Sequence, residues 1–360
     1  MLDRRTFLAT AAASLISKPA SAALAGNIPM GINTYCLRAL RLRDVPLIDY
    51  AASLKMDAVF LQDSLDPEAN DVAHWRIVRE YVREKQMRIE TGTGAVLPRS
   101  ADAFDASVAN LRQGIERAKA IGSPIVRCLH AADREHLPPG PVAQHIETMI
   151  KVLRTVRSQA MDAGLKLAIE NHKDLLAWEM KLVIEGAGRE FVGSYLDTGN
   201  PVFVMEDPMT TLEHLGPLAV TVHLRDSVIY ETPRGIAVQW VPLGEGVIDF
   251  KAFLARLREL ASGVYVYIKP ITGRPPQILP VFDAEFWKQY PDSRASEFAK
   301  FLALAKRGRP YESHMVIEDL PGRATPEPFV EAVKYQQKEH MERSVAYAKK
   351  TLDLGVRWRA

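Results

Sequence analysis

Glu170, Asp197 and His223 follow one another at intervals of 27 and 26 residues, each near the end of a short apolar run: LAIENH, SYLDTGN and VHLRD. Two carboxylates and an imidazole are ligands for a hard or borderline divalent ion such as Mn, Mg, Co or Zn. Singly, each is equally well read as a polar residue closing a strand. Together, their interval is the length of one strand-plus-helix unit, roughly 25–30 residues. That puts the three at equivalent heights on successive strands, where their side chains can converge, and buried acids need partners. His172 stands two residues after Glu170, on the same side if the strand runs that far. It reads as a proton-transfer or substrate group, or as a loop histidine.

A second chemical signal is VYVYIKPITGRPP (264–276), which sets Lys269 inside an apolar strand. An ammonium there is costly unless something meets its charge. Arg127 and Arg225 also close apolar runs. A guanidinium can clamp a carboxylate or phosphate at two points, or it can neutralise barrel acids. Asn33, Tyr35, Gln62, Asp63, Glu90, Asn200 and Arg274 supply further polar strand ends. Trp178 and Trp240 could stack on a sugar ring or serve as packing.

The elements that must position these residues are legible. Apolar runs at 28–37, 57–63, 87–94, 124–130, 165–172, 191–199, 219–227 and 264–273 alternate with amphipathic helical segments. Alternation of this kind implies βα units and a parallel sheet, and eight units in about 250 residues is the size of a (β/α)8 TIM barrel. A doubly wound open sheet is the alternative. No GxGxxG follows the first strand, however, and TGTG (91–94) lies at the third. The expected organisation is a barrel over 26–280 and a C-terminal helical extension over 281–360, packed on the barrel or serving assembly of a homo-oligomer. Function is expected where barrels carry it, at the C-terminal strand ends.

The 360 residues carry a net charge of +2. This is too balanced to argue for nucleic acid or an anionic membrane as partner, and leaves small molecules. Arg4 and Arg5, followed by Phe7, Leu8 and an apolar stretch to Ile16, read as a twin-arginine export signal over 1–25. A periplasmic protein, not membrane-anchored in its mature form, is expected. Cys36 and Cys128 are too few for a disulfide framework.

AIENH around Glu170, YLDTGNP around Asp197, VHLRDS around His223 and LGEGVIDF (243–250) together resemble the xylose-isomerase-like barrels, the sugar phosphate isomerase/epimerase family, over about residues 28–276. ENHKDLLAWE, HLRDSVIYETPRG and ITGRPP are also similar to a subgroup near 3-oxo-isoapionate decarboxylase. The resemblance implies a small-molecule sugar or sugar acid as ligand. It also implies a divalent metal held by Glu170, Asp197, His223 and a fourth carboxylate from the eighth strand. In this chain that fourth position is Lys269.

Four readings follow. A metal sits on three protein ligands with an open position; the Lys269 ammonium replaces the metal and stabilises an enediolate oxygen; Lys269 is a Schiff-base nucleophile; or the barrel only binds a ligand. The first three share abstraction of a proton beside a carbonyl, or loss of a carboxylate, with the base being Glu170 or His172. Arg127, Asn200, Arg225, Trp240 and Arg274 are the expected substrate contacts.

Overall fold

The computed structural model describes residues 27–62, 71–313, 316–320 and 322–359. The export-signal segment 1–25 and Asp63 lie outside the described residues. Eight parallel strands close a barrel: β1 (Met30–Asn33), β2 (Ala58–Phe60), β3 (Arg88–Ala95), β4 (Ile125–Leu129), β5 (Lys166–Glu170), β6 (Val192–Asp197), β7 (Ala219–Leu224) and β10 (Val266–Ile268). All eight runs expected as strands are barrel strands, and β10 pairs β1 to complete the circle. The barrel interior is filled by Ala58, Phe60, Ile125, Ala168, Tyr195 and Tyr267. The alternate residues of each strand face the helices, so both faces are buried and the strands read as nearly continuous apolar runs.

The helices α1 (Asp44–Ser53), α2 (Val72–Glu84), α3 (Phe104–Ile121), α4 (Val142–Thr155), α5 (Arg157–Asp162), α6 (Ala177–Ala187), α7 (Pro208–Leu215) and α8 (Phe250–Leu260) fill the crossovers. Their ends follow local chemistry. Asp71 caps α2 by accepting from the His74 N–H at 2.9 Å, and Asp249 caps α8 by accepting from the Ala252 N–H at 3.0 Å, each satisfying an orphan donor of a first turn. Gly122 closes α3 with φ of 82°, where a side chain would be strained.

The sequence pattern did not show a three-stranded antiparallel sheet of β8 (Asp226–Thr232), β9 (Gly235–Val241) and β11 (Gln277–Leu279). The hairpin β8–β9 leaves the C-terminal end of β7. With α9 (Ala284–Trp287) and α10 (Ala295–Ala305) it builds a second apolar core around Phe203, Ile229, Val238, Leu279, Tyr290 and Phe301. Asp226 anchors the base of this cap: its carboxylate accepts from the N–H groups of Ser227 (2.8 Å), Gly244 (2.9 Å), Gly246 (3.0 Å) and Ile248 (3.4 Å). These bonds fold LGEGVID against the barrel, and Gly246 lies so close to Asp226 and Ser227 that a Cβ there would collide with them.

Residues 281–360, read from sequence as an extension packed on the barrel, therefore divide in two. The first part completes the cap. The second contains α11 (Val330–Lys350), whose buried face of Val333, Met341, Val345 and Ala348 packs against the barrel layer. α11 occupies the place of the eighth barrel helix. Gly355 N–H donates to Ile28 carbonyl at 2.9 Å, closing the chain back onto the start of β1.

Candidate active site

Glu170 and Asp197 end β5 and β6 and are fully buried. Between them lies the Lys269 ammonium, which donates to Glu170 Oε1 at 2.8 Å and to Asp197 Oδ2 at 3.1 Å. On the outer side of each carboxylate stands an arginine. Arg127 Nε donates to Glu170 Oε2 at 2.6 Å, and an Arg225 terminal nitrogen lies 3.1 Å from Asp197 Oδ2. The result is a row of alternating charges, Arg127–Glu170–Lys269–Asp197–Arg225, laid across β4, β5 and β6 and the residues that follow β7 and β10. Three cations against two anions leave one positive charge. Lys269 thus faces the carboxylates, as its place in the strand predicts.

The remaining lone pairs are also taken. Asn200 Nδ2 donates to Glu170 Oε1 at 3.1 Å, and the N–H groups of Gly199 and Asn200 donate to Asp197 Oδ1 at 3.0 and 3.1 Å. Gly199 is required here, since a Cβ would come 2.8 Å from three carbons of the Arg225 side chain. Burial by itself would raise the Glu170 pKa, but Arg127 and then Lys269 pull it well below the ordinary carboxylate range. Glu170 is therefore an ionised, saturated counter-ion and a poor proton acceptor.

His223 does not join the two carboxylates. Its backbone is in register with Asp197 and with Tyr267. Its ring turns to the layer below, stacked between Tyr195 and Tyr267 at centroid distances of 3.9 and 4.8 Å. Asn33 Oδ1 accepts from the Tyr35 N–H at 3.0 Å, which leaves Asn33 Nδ2 to face His223 Nδ1 at 3.4 Å. Nδ1 is thus the acceptor and Nε2 carries the hydrogen, buried and without a hydrogen-bond partner among the described residues. Burial and the Lys269 charge push the His223 pKa well below its usual value, so the ring is neutral.

As arranged, these residues do not fit a divalent ion. An ammonium occupies the point where two carboxylates would meet a metal, and the imidazole presents N–H to its surroundings instead of a lone pair. Among the described residues no group of three or more His, Cys, Asp or Glu side chains is placed to hold one. The expected Glu170–Asp197–His223 ligand set is in this structure a carboxylate pair closed on Lys269 and a histidine of the aromatic layer.

Above the charge row opens a cavity of about 770 Å³, lined by Arg127, His172, Arg225, Trp240, Lys269 and Arg274 among others. β5 stops at Glu170, so His172 reaches the cavity from the loop beyond the strand. His172 Nδ1 faces the Ala132 carbonyl and donates to it. This fixes the tautomer and leaves Nε2 as a free acceptor, with no protein partner among the described residues. Burial lowers the His172 pKa, against the pull of Glu170, which keeps the ring neutral near pH 7. Lys269 has three N–H bonds; the carboxylates take two, and the third is left for a cavity ligand.

Of the other expected contacts, Asn200 is fully buried beneath the cavity. Trp240 is anchored by its indole N–H to the Gly199 carbonyl at 3.0 Å and lies under the Arg225 guanidinium at 4.2 Å. Arg274 is held by the Asp319 carbonyl. Trp178 packs in the second core and does not line the cavity. Glu90 sits low in the barrel, accepting from Thr221 at 2.7 Å and Arg88 at 2.8 Å. Cys36 and Cys128 are both free and buried. Sequence reasoning missed Lys173, Tyr195 and Gln239 on the cavity wall. Alternation in β6 places Tyr195 two residues before Asp197 and could have found it. Lys173 sits in a loop with no periodic signal.

The family described as xylose isomerase-like TIM barrel matches residues 48–306. The chain belongs to this family. A curated relative, the uncharacterized protein YihM of Escherichia coli (strain K12), is 30% identical over 102 residues, covering 28% of this chain and 31% of that protein. The matched region is thus about a third of that relative's length. Among solved structures, a D-psicose 3-epimerase in the presence of D-fructose is similar at TM-score 0.60 with 16% identity, covering 90% of this chain and 99% of that one. An IOLI protein with a bound zinc atom is similar at TM-score 0.57 with 15% identity, covering 89% and 98%. At these identities the structural likeness is one of fold, and none of the three singles out the decarboxylase subgroup.

Proposed function

We propose that this barrel is an isomerase or epimerase acting on a keto-sugar or keto-sugar acid through an enediolate-type intermediate, with Lys269 supplying the positive charge at the developing oxyanion. One observation carries the reading. The cavity holds an imidazole with its acceptor nitrogen free, and an ammonium fixed by two buried carboxylates with one N–H to spare.

In this scheme His172 Nε2 takes the proton from the carbon beside the substrate carbonyl. The C–H electron pair forms a C=C bond, and the carbonyl π pair moves onto oxygen. That oxygen accepts the free Lys269 N–H, whose position is already fixed and costs no reorganisation. Return of the proton to the opposite face of the same carbon gives the epimer. Return to the neighbouring carbon, with a hydroxyl proton shifted, gives the isomer. Glu170 and Asp197 hold the ammonium in two ion pairs, which engage the nitrogen that a Schiff-base nucleophile would need free.

A second reading, decarboxylation or elimination of a 3-keto sugar acid, uses the same oxyanion stabilisation. It is favoured by the guanidinium groups of Arg127 and Arg225 beside Lys269. Incubating the protein with keto-sugars and 3-keto sugar acids in D2O, followed by NMR, separates them. Deuterium uptake with the carbon skeleton intact is expected. Release of labelled carbon dioxide assigns the second reading, and binding with neither uptake nor turnover refutes both in favour of a carbohydrate-binding barrel. The twin-arginine motif at Arg4 and Arg5 supports periplasmic action. A fusion of residues 1–30 to a reporter should be exported, and an Arg4→Lys/Arg5→Lys pair should abolish that.

A further inference from the structure

The cavity wall carries more positive charge than the proposed chemistry uses. Five cationic side chains line it, Arg127, Lys173, Arg225, Lys269 and Arg274, and among the described residues no carboxylate does. The two acids beneath, Glu170 and Asp197, answer three of these cations and leave one charge over. Lys173 and Arg274 raise the excess to three.

Neither of these two has an acid of its own. Lys173 Nζ lies 5.5 Å from the Phe203 ring centroid and 5.8 Å from that of Trp240. Among the described residues no carboxylate is within the 4.0 Å of an ion pair with it. Asp133 and Glu135 act on it from beyond that distance, and Asp133 is bound to His136. Arg274 donates to the Asp319 carbonyl and is hydrogen-bonded to the Tyr35 side chain, and the Asp319 carboxylate beside it is taken by Arg38 and Gln337. Arg225 spends its terminal nitrogens on Asp197 and Asn200, and its Nε is buried with no hydrogen-bond partner among the described residues. Burial and the facing Arg225 and Arg274 charges lower the Lys173 pKa.

Half-buried cations are ordinarily paired, because desolvation penalises an uncompensated charge. Here Lys173 and Arg274 share one wall with no carboxylate in ion-pair reach among the described residues, the first fixed at an aromatic corner and the second by the Asp319 carbonyl and Tyr35. Such a wall is complementary to an anionic oxygen group, which guanidinium and ammonium bind through short charge-assisted hydrogen bonds.

We infer that Lys173 and Arg274 form an anion subsite, and that the sugar this protein acts on carries a carboxylate or phosphate held there while its carbonyl meets Lys269. The inference rests on the proposed function for what happens at Lys269, but not for the subsite itself.

The test is calorimetric titration of the full protein with three probes: 2-keto-D-gluconate, D-fructose 6-phosphate and D-fructose. At least one anionic probe should bind about tenfold or more tightly than D-fructose, as expected for one or two hydrogen bonds to charged groups. Whichever anion is preferred identifies the group. Lys173→Met should remove about tenfold of that preference and weaken its salt dependence, leaving D-fructose affinity unaltered. Equal binding of charged and neutral probes, no binding of either anion, or a Lys173→Met loss that is the same for all three overturns the subsite. Arg274→Gln repeats the comparison should Lys173→Met fail to fold. Lys173-dependent anion binding with no deuterium uptake on any keto-sugar would sustain the subsite and refute the enzyme.

Discussion

Replacing Lys269 with methionine keeps the length of the side chain and deletes the ammonium. Two ion pairs at 2.8 and 3.1 Å are lost, both to carboxylates with no solvent exposure. Removing one partner of a buried pair costs about 3–5 kcal/mol, because the other charge is left uncompensated. Here Glu170 keeps Arg127 and Asp197 keeps Arg225, so the expected loss lies at the lower end, about 3 kcal/mol at pH 7. Urea unfolding of wild type and variant measures it. The pH dependence has a definite sign. The Glu170 pKa is held down in the folded state, so its contribution is fully present above the unfolded carboxylate value, about 4.3, and is lost as pH falls through the folded value. The gap between wild type and variant should be complete at neutral pH and narrow below about pH 4.3. In catalysis, loss of one fixed oxyanion donor predicts a drop in kcat of about 10²–10³. A stability loss under about 1 kcal/mol would show that the carboxylates do not depend on the ammonium, against the usual cost of an orphaned buried charge. An unchanged rate of deuterium exchange would remove Lys269 from the chemistry.

Four further outcomes are expected. His172→Asn keeps a donor to the Ala132 carbonyl but no base, so exchange should fall about 10²–10⁴-fold while unfolding free energy stays within about 0.5 kcal/mol. Because neutral His172 is the active form and its pKa is lowered, the wild-type rate should be flat at pH 7 and fall on the acid side with a midpoint below about 6.5; a higher midpoint assigns the base elsewhere. Lys269→Glu replaces the ammonium with a third carboxylate, so isothermal titration should show tight zinc binding by the variant and none by wild type. Tight zinc binding by wild type would overturn the ammonium reading. Asp226→Ala removes the acceptor of four backbone N–H groups, and unfolding should reveal a loss of about 2–3 kcal/mol, with faster amide exchange at Gly244, Gly246 and Ile248. A neutral effect would show that the cap base is held by packing alone.

The barrel was legible in the sequence because each βα unit writes its own period. Buried parallel strands must be apolar runs and their covering helices amphipathic, and the interval from Glu170 to Asp197 to His223 is that unit repeated. Lys269 was legible as a charge set inside an apolar strand, so a partner for it followed from the cost of burying an ammonium. Other features were decided only by tertiary structure. Equal intervals fix which strand end a residue occupies but not which way a ring turns, and His223 turned into the tyrosine layer instead of toward Glu170. α11 reads as a charged helix of modest amphipathicity, yet its few apolar residues close the eighth position of the barrel, because that gap is created by the other seven units. The hairpin after β7 is stabilised by β11, nearly 40 residues later, a pairing that no local pattern encodes. The cationic wall is likewise assembled from Lys173, Arg225 and Arg274, three loop or strand-end residues made neighbours by closure of the barrel and by the cap above it. A single sequence records each charge. Only the fold determines that, among the described residues, no carboxylate comes within ion-pair distance of Lys173 or Arg274.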